Sequence, residues 1–493
     1  MSEQERAARR ERLAALRQSG VDPYPARVPA WTPLADVARA HCEKSAELLD
    51  AEQNRVAVVG RILARRSFGK LLFLDLLEGG GKLQVSARKG ELGPEAFALA
   101  ACLDVGDFVR VEGRVWRTKA GELTVAADAF TLLAKALRPL PEKWHGLQDV
   151  EARYRQRYLD LLTNPTVREM VRMRARAIRA VRSFLDGRGF LEVETPILQP
   201  LYGGGSARPF VTHYNVYDQD VYLRIADELY LKRLVIGGLD RVYEVGHSFR
   251  NEGVSRKRNP EFTMLECYQA YADYHDMMEL VQAMLQHVVR ETQQGKTQVS
   301  YRGETLEFGG AWPRRRLADA IRDETGIDVL ACHDLTSLRA AVSHAGLDAG
   351  DAPTWGRLVD HLQSEHVEPK LLQPTFLVDY PVELSPLAKR SSDDPRLVER
   401  FELFAAGMEL ANAFSELNDP DDQRARFEEQ RQARTAGDEE AHPLDEDFLE
   451  ALEHGMPPTG GLGVGIDRLV MLLADAAHLR EVLLFPYMRP ERT

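Results

Sequence analysis

The sequence predicts an α+β protein in which a small five-stranded β-barrel precedes a larger core built on an antiparallel sheet. Three observations carry this. Residues 55–137 take up the two-residue period of strands, broken once by a helical stretch. From about residue 160 onward, amphipathic helices such as VREMVRMRARAIRAVRSFLDGRG mix with strands without regular βαβ alternation. The chain has 493 residues, and one core rarely grows that large, so about two to four units are expected.

Residues 1–54 read as an N-terminal helical extension, with Leu13, Leu16 and Val21 among charges and a break at Asp22-Pro23-Tyr24-Pro25. Two readings of its arginines stay open: a solvated helix, or one whose Arg6, Arg9, Arg10 and Arg12 touch RNA phosphates. In residues 55–137 the runs RVAVVGRILARR, KLLFLDLLE and KLQVSARK are separated by glycine turns. The helical GPEAFALAACL follows, then DFVRVEGRVWRT and GELTVAADAFTLL. Three strands, a helix and two strands is the order of an OB-type barrel, a common holder of single-stranded nucleic acid. Residues 138–160 form a proline-containing connector, and 161–493 the large domain, with a helical insertion at about 315–372.

Apolar content of 44% and charged content of 28% fit a soluble globular enzyme. No apolar run reaches the roughly 18–20 residues that span a bilayer. The opening MSEQERAARRERLAAL lacks the apolar core of a signal peptide. Cys42, Cys102, Cys267 and Cys332 never form a CxxC pair, which argues against a zinc site and fits a reducing cytoplasm. The net charge of −12 does not by itself suggest a polyanionic partner, so basic residues for RNA would have to be concentrated on one surface. There is no G-x-x-x-x-G-K-[ST] phosphate loop and no G-x-G-x-x-G opening a helix after a strand, so ATP would need another scaffold.

The most informative stretch is FRNEGVSRKRNPEFTMLECYQAYADY, residues 249–274. An extended run ends in Arg250-Asn251-Glu252, passes through the basic loop Arg256-Lys257-Arg258, and resumes as a strand at Glu261. Alternation puts Phe262, Glu266 and Tyr268 on one face of that strand. An aromatic, a carboxylate and a phenol together suit a nucleotide beside a cationic group.

This stretch resembles motif 2 of the class II aminoacyl-tRNA synthetases, in the form typical of bacterial lysyl-tRNA synthetases (subclass IIb). RGFLEVETPIL (188–198) is similar to motif 1 and GLGVGIDRLVMLL (461–473) to motif 3. GGGSARPF, LRIADELYLKRL, QPTFLVDYPVELSPLAKR, MELANAFSELND and the ending LLFPYMRP extend the likeness over essentially the whole chain.

The resemblance implies a set of roles. Arg250 would bridge the lysine carboxylate and the ATP α-phosphate, a task suited to a planar, permanently charged fork. Glu252, Arg258 and Asn259 would hold the nucleotide, Phe262 would stack on adenine, and Arg468 would close over base and phosphates. Glu402 and Glu409 would hold Mg²⁺, a hard cation that prefers carboxylate oxygens. Alternation does not bring Glu409 to the face of Asn412, so a bulge or turn is needed between them. The lysine side-chain ammonium would meet Glu266, Tyr268 and Glu416, the α-ammonium Glu228 and the Gly204 backbone, while Asn412 would assist Arg250. An aspartate pocket would need a cationic end, so acidic residues there favour lysine. The family usually reads T-R-H-N-P-E-F where this chain has Arg256-Lys257-Arg258-Asn259; Arg258 is carried over and Lys257, which loses bidentate geometry, is not.

In the barrel, Phe73 would stack an anticodon base, with Arg66, Gln84 and Glu122 at reading positions; the competing reading makes Phe73 core of LLFLDLL. The implied activity is a lysine–tRNA ligase acting on ATP, L-lysine and tRNA(Lys), cytoplasmic, off the membrane, and homodimeric through motif 1. A paralogue that lysylates a protein and a non-catalytic RNA-binding regulator are the alternatives.

Overall fold

In the computed structural model, which describes residues 3–141, 147–435 and 442–490, the chain divides into two compact units, 1–148 and 149–493. Of the expected connector, residues 142–146 lie outside the described residues.

The first unit holds β1 (Arg55–Phe68), β2 (Leu71–Glu78), β3 (Gly81–Arg88), β4 (Phe108–Arg117) and β5 (Leu123–Ala134), closed in the order β1-β2-β3-β5-β4. The helical stretch Pro94–Cys102 falls between β3 and β4, as the pattern predicts. On β2 alternation decides the fate of each side chain: Leu72, Leu74 and Leu76 fill the barrel while Phe73 and Asp75 face outward.

Helix Glu3–Gln18 packs through Leu13 and Leu16, and two of the four arginines weighed for phosphate contact, Arg9 and Arg12, have partners within the unit. Arg9 is buried and donates Nη1 to the carbonyls of Val105 (3.0 Å) and Ala136 (3.1 Å). Arg12 pairs with Asp104 at 2.9 Å. Both hold the helix to the rest of the unit, Arg9 from a buried position. Arg10 remains exposed.

The second unit is built on an eight-stranded sheet. We label its strands β6 (Leu191–Glu192), β7 (Arg241–Phe249), β8 (Glu261–Ala270), β9 (Arg314–Arg316), β10 (Thr375–Pro381), β11 (Leu397–Ala405), β12 (Met408–Ser415) and β13 (Thr459–Gly465). Their order is β9-β10-β11-β12-β13-β8-β7-β6. The six central strands pair antiparallel; each edge strand pairs parallel with its neighbour. Helices Pro165–Asp186, Tyr274–Thr292 and Ile466–Leu473 cover one face, burying Val281, Met284, Leu285 and Leu469 against Leu265, Leu403 and Leu462. Between β9 and β10 the chain carries helices that include Leu317–Thr325, Leu335–His344 and Trp355–Leu362. The opposite face of the central strands is polar and forms the candidate site.

Candidate active site

The β7–β8 hairpin runs in register from Arg241↔Gln269 to Phe249↔Glu261, so the basic loop joins two rigid arms. Cross-strand registers then lay the site out as a grid. One row reads Glu402↔Asn412↔Gly463↔Glu266 across β11, β12, β13 and β8; the next reads Arg400↔Phe414↔Gly461↔Tyr268. The glycines are the space in this grid. A Cβ at Gly463 would stand 2.7 Å from Met264 Cε, and one at Gly461 2.6 Å from the Tyr268 ring.

The bulge that alternation required is present. Leu403 pairs with Ala411 but Phe404 with Glu409, so Leu410 is the extra residue and Glu409 returns to the face of Asn412.

Two adjoining cavities result. The first, about 290 Å³, is lined by Gly204, Glu228, Glu266, Tyr268, Glu402 and Asn412, among others. The second, about 350 Å³, is lined by Glu252, Arg258, Asn259, Phe262 and Arg468, with Lys257 beside them. Arg250, Glu409, Asn412 and Arg357 line both. The residues expected for lysine and for ATP thus fall in neighbouring chambers with Arg250 at the junction, except Glu416, which lines neither cavity.

In the acidic chamber, Tyr268 donates its hydroxyl to Glu266 (3.1 Å). Gly204 adopts φ +78°, and a Cβ there would lie 2.9 Å from Glu228 Cβ, so both conformation and space call for glycine. Glu416 is buried, and beyond the contact of its carboxylate with the Lys232 ammonium neither oxygen has a hydrogen-bond partner among the described residues. Burial, and after it the neighbouring Asp227 charge, pushes Glu266 well above the usual carboxylate range. Burial likewise raises Glu416, and brings Asp227 up to about 6.

In the second chamber the Arg250 guanidinium lies over the Phe262 ring at 5.1 Å, leaving the other ring face for a base. Asn259 donates to the Glu261 carbonyl (2.6 Å) and keeps its buried Oδ1 without a partner. Arg258 is well exposed, 3.4 Å from Glu252. Lys257, set aside in the sequence reading, is exposed and donates to the Gly407 carbonyl at 2.5 Å. Arg468 pairs with Glu409 at 3.0 Å.

Several neighbours were not legible in the sequence. Arg400 binds Glu402 (2.5 Å) and donates Nε to Asn412 (3.0 Å), so Asn412 is engaged by Arg400 in this state. Glu402 also accepts from Tyr380 (3.0 Å) and Gln363 (3.2 Å), and burial raises it to about 7. Arg400 stands two residues before Glu402 on one strand face, which is the signal that could have found it. Lys232 lies one helical turn after Glu228, an i,i+4 Glu–Lys pair. Arg357 arrives from the helical insertion, and nothing in its local pattern marks it.

In the barrel, outward-facing Phe73 meets exposed Phe68 edge-on, with centroids 6.3 Å apart. Arg66 pairs with Asp75 (2.7 Å), and Gln84 donates to Glu122 (2.8 Å). The core reading of Phe73 is therefore overturned, because Leu72 and Leu74 take the inward positions.

Residues 149–489 match the family described as tRNA synthetases class II (D, K and N), and residues 56–133 match an OB-fold nucleic acid binding domain. The chain is 52% identical over 486 residues to a lysine–tRNA ligase of Pelotomaculum thermopropionicum, covering 98% of this chain and 94% of that one. It is 53% identical to those of Moorella thermoacetica (98% of each chain) and Roseiflexus castenholzii (99% and 98%).

Proposed function

The chain belongs to the class II lysyl-tRNA synthetases and is a lysine–tRNA ligase of an ATP-using family, and from that premise we propose how its two chambers divide the work. The acidic chamber takes L-lysine: Glu266, Tyr268 and Glu416 receive the side-chain ammonium, while Glu228 and the Gly204 backbone receive the α-ammonium. The second chamber takes ATP, with Phe262 against adenine and Glu252, Arg258, Asn259 and Arg468 around ribose and phosphates. The observation that carries this division is Arg250 lining both cavities, where one fork reaches the carboxylate and the α-phosphate.

The lysine carboxylate attacks the α-phosphorus, and pyrophosphate leaves. The terminal ribose hydroxyl of tRNA(Lys) then attacks the carbonyl of lysyl-adenylate, and AMP leaves. No protein nucleophile is needed. Arg250 and Arg468 orient the anions and stabilise charge that builds in transfer.

Among the described residues no three acidic, histidine or cysteine side chains gather as a ready-made metal cage. Two carboxylates, Glu402 and Glu409, fit Mg²⁺, which commonly takes one or two protein oxygens and completes its shell with water and phosphate. When bound, it neutralises phosphate charge. Arg400 and Arg468 already occupy these carboxylates and would have to yield part of them.

The barrel, with Phe73, Arg66, Gln84 and Glu122, reads the anticodon of tRNA(Lys). Its presence, with near full-length likeness to lysine–tRNA ligases, disfavours a paralogue that lysylates a protein. A second copy is placed on the motif 1 region, where Leu191, Ile197 and Leu198 are exposed. No helix among the described residues is long and apolar enough to cross a membrane, and we place the enzyme in the cytoplasm. Charging assays with tRNAs for lysine, aspartate and asparagine test the assignment: lysine on its own tRNA is expected to dominate, and equal charging of all three would overturn it.

A pH dependence follows from the acidic chamber. Asp227, Glu266 and Glu416 have raised values, so the folded empty enzyme holds protons that the unfolded chain has released. Their contribution to stability is therefore full below the ordinary carboxylate range and declines as pH rises, through about 6 for Asp227. An arriving ammonium favours the ionised forms. Lysine binding is expected to release about one proton near neutrality and to tighten as pH rises. Calorimetric titration in two buffers of different ionisation enthalpy measures this; proton uptake on binding would contradict it.

A further inference from the structure

Lys232 is a buried cation of this region whose chemistry the reaction above leaves unused. It sits on helix Glu228–Ile236 with no exposed surface, its Nζ 2.6 Å from Glu228 Oε1 and in contact with the Glu416 carboxylate. Phe414 and Phe448 present their rings to it at 5.5 and 5.9 Å. Glu228 is on the cavity wall and Lys232 and Glu416 are not, so Lys232 reaches Glu228 from behind and joins it to Glu416. Enclosing an ammonium is unfavourable unless it is paired, and both partners are carboxylates assigned to the substrate.

The charges around the chamber give this cation a purpose. Arg224 is matched by Glu244 at 2.6 Å. Burial raises Glu228 and Glu416, and the Lys232 ammonium in contact with both draws them back toward their ionised forms while offsetting one of their charges. Lysine brings two ammonium groups and one carboxylate, whereas a diamine brings two ammonium groups and no anion. Without Lys232 the chamber would be one positive charge poorer and would favour the dication.

We propose that Lys232 is a positioning residue that sets amino-acid selectivity. It joins Glu228 to Glu416 and trims the chamber's charge so that lysine with its carboxylate is accepted over diamines of the same length. The proposal rests on the lysine reading of the acidic chamber. Its class of discriminated ligand is the α,ω-diamine, for which cadaverine (1,5-diaminopentane) is the probe.

The test is Lys232→Met, which keeps length and removes charge, read by lysine-dependent pyrophosphate exchange and by cadaverine inhibition. The KM for lysine is expected to rise about tenfold with kcat changing far less, and the ratio of cadaverine Ki to lysine KM to fall about tenfold or more. A folded variant whose ratio is unchanged, both ligands weakening together, overturns the proposal and leaves Lys232 a packing residue. Glu416→Gln in the otherwise native enzyme separates the two levels. If it alters neither lysine KM nor cadaverine Ki, the chamber reading itself fails; if it weakens both while Lys232→Met leaves the ratio alone, only the role of Lys232 fails. Should Lys232→Met not fold, the double variant Lys232→Met/Glu416→Gln restores the charge balance. It is expected to fold and to discriminate as the native enzyme does, and loss of either property counts against the proposal.

Discussion

Replacing Arg250 with alanine is expected to lower kcat/KM for lysine-dependent pyrophosphate exchange by a factor on the order of 10³ or more, with the fold intact. The side chain stands where the two chambers meet, just past the end of hairpin strand β7, whereas Arg357, which also lines both, comes from the helical segment Trp355–Leu362. Its neighbours are Glu252, Glu409 and Glu266, which favour its charge, against a burial that lowers its pKa. Its hydrogen bond to the Ile225 carbonyl is long, 3.5 Å, and the Phe262 contact is a single ring face. A buried cation held so loosely contributes little to stability, yet it is preorganised for anions. The variant should therefore melt within a few degrees of the native enzyme. Arg250→Lys should recover only part of the loss, because a point charge replaces a two-pronged fork. Near-normal exchange by the alanine variant would remove Arg250 from the mechanism and with it the two-chamber division.

What the chain discloses before folding is governed by distance along it. Phe262, Glu266 and Tyr268 share a strand, so a period of two places them together without any knowledge of the fold. The barrel was legible for the same reason, its strands each alternating inward leucines and valines with outward polar groups. The need for a bulge near Glu409 could be inferred, but its position at Leu410 could not, because register depends on the partner strand. Ion pairs formed across elements were hidden. Lys232 reaches Glu416 only because helix Glu228–Ile236 packs against β7 and β8, and Arg9 finds the Val105 and Ala136 carbonyls only once the barrel closes. A basic helix near the N-terminus therefore invited a phosphate role for Arg9, whose burial gives it carbonyl partners instead. Net charge misled in the opposite direction: a molecule-wide total of −12 says nothing about a locally cationic chamber built from Arg250, Lys257, Arg258 and Arg468.

Phe73→Ala is expected to lower kcat/KM for tRNA(Lys) charging by about 5- to 150-fold, the equivalent of about 1–3 kcal/mol for one stacked base, while lysine-dependent pyrophosphate exchange stays native. The argument begins with β2, whose alternate leucines fill the barrel and so commit Phe73 to the outer face. There it is half-buried, steadied edge-on by Phe68 at 6.3 Å, and joined by Arg66 opposite it in register and Asp75 two residues on. Deleting a ring from that surface opens no core cavity, so stability should change little. A ring in the barrel core would behave otherwise: its removal typically costs about 3–5 kcal/mol and would depress both reactions through unfolding. The two measurements thus discriminate three outcomes. Loss of charging alone supports base stacking on Phe73. Loss of charging and exchange together, with a lowered melting temperature, restores the core reading. Native charging would mean that the outer face of β2 does not carry the anticodon, and that Arg66, Gln84 and Glu122 owe their ion pair and hydrogen bond to the barrel alone.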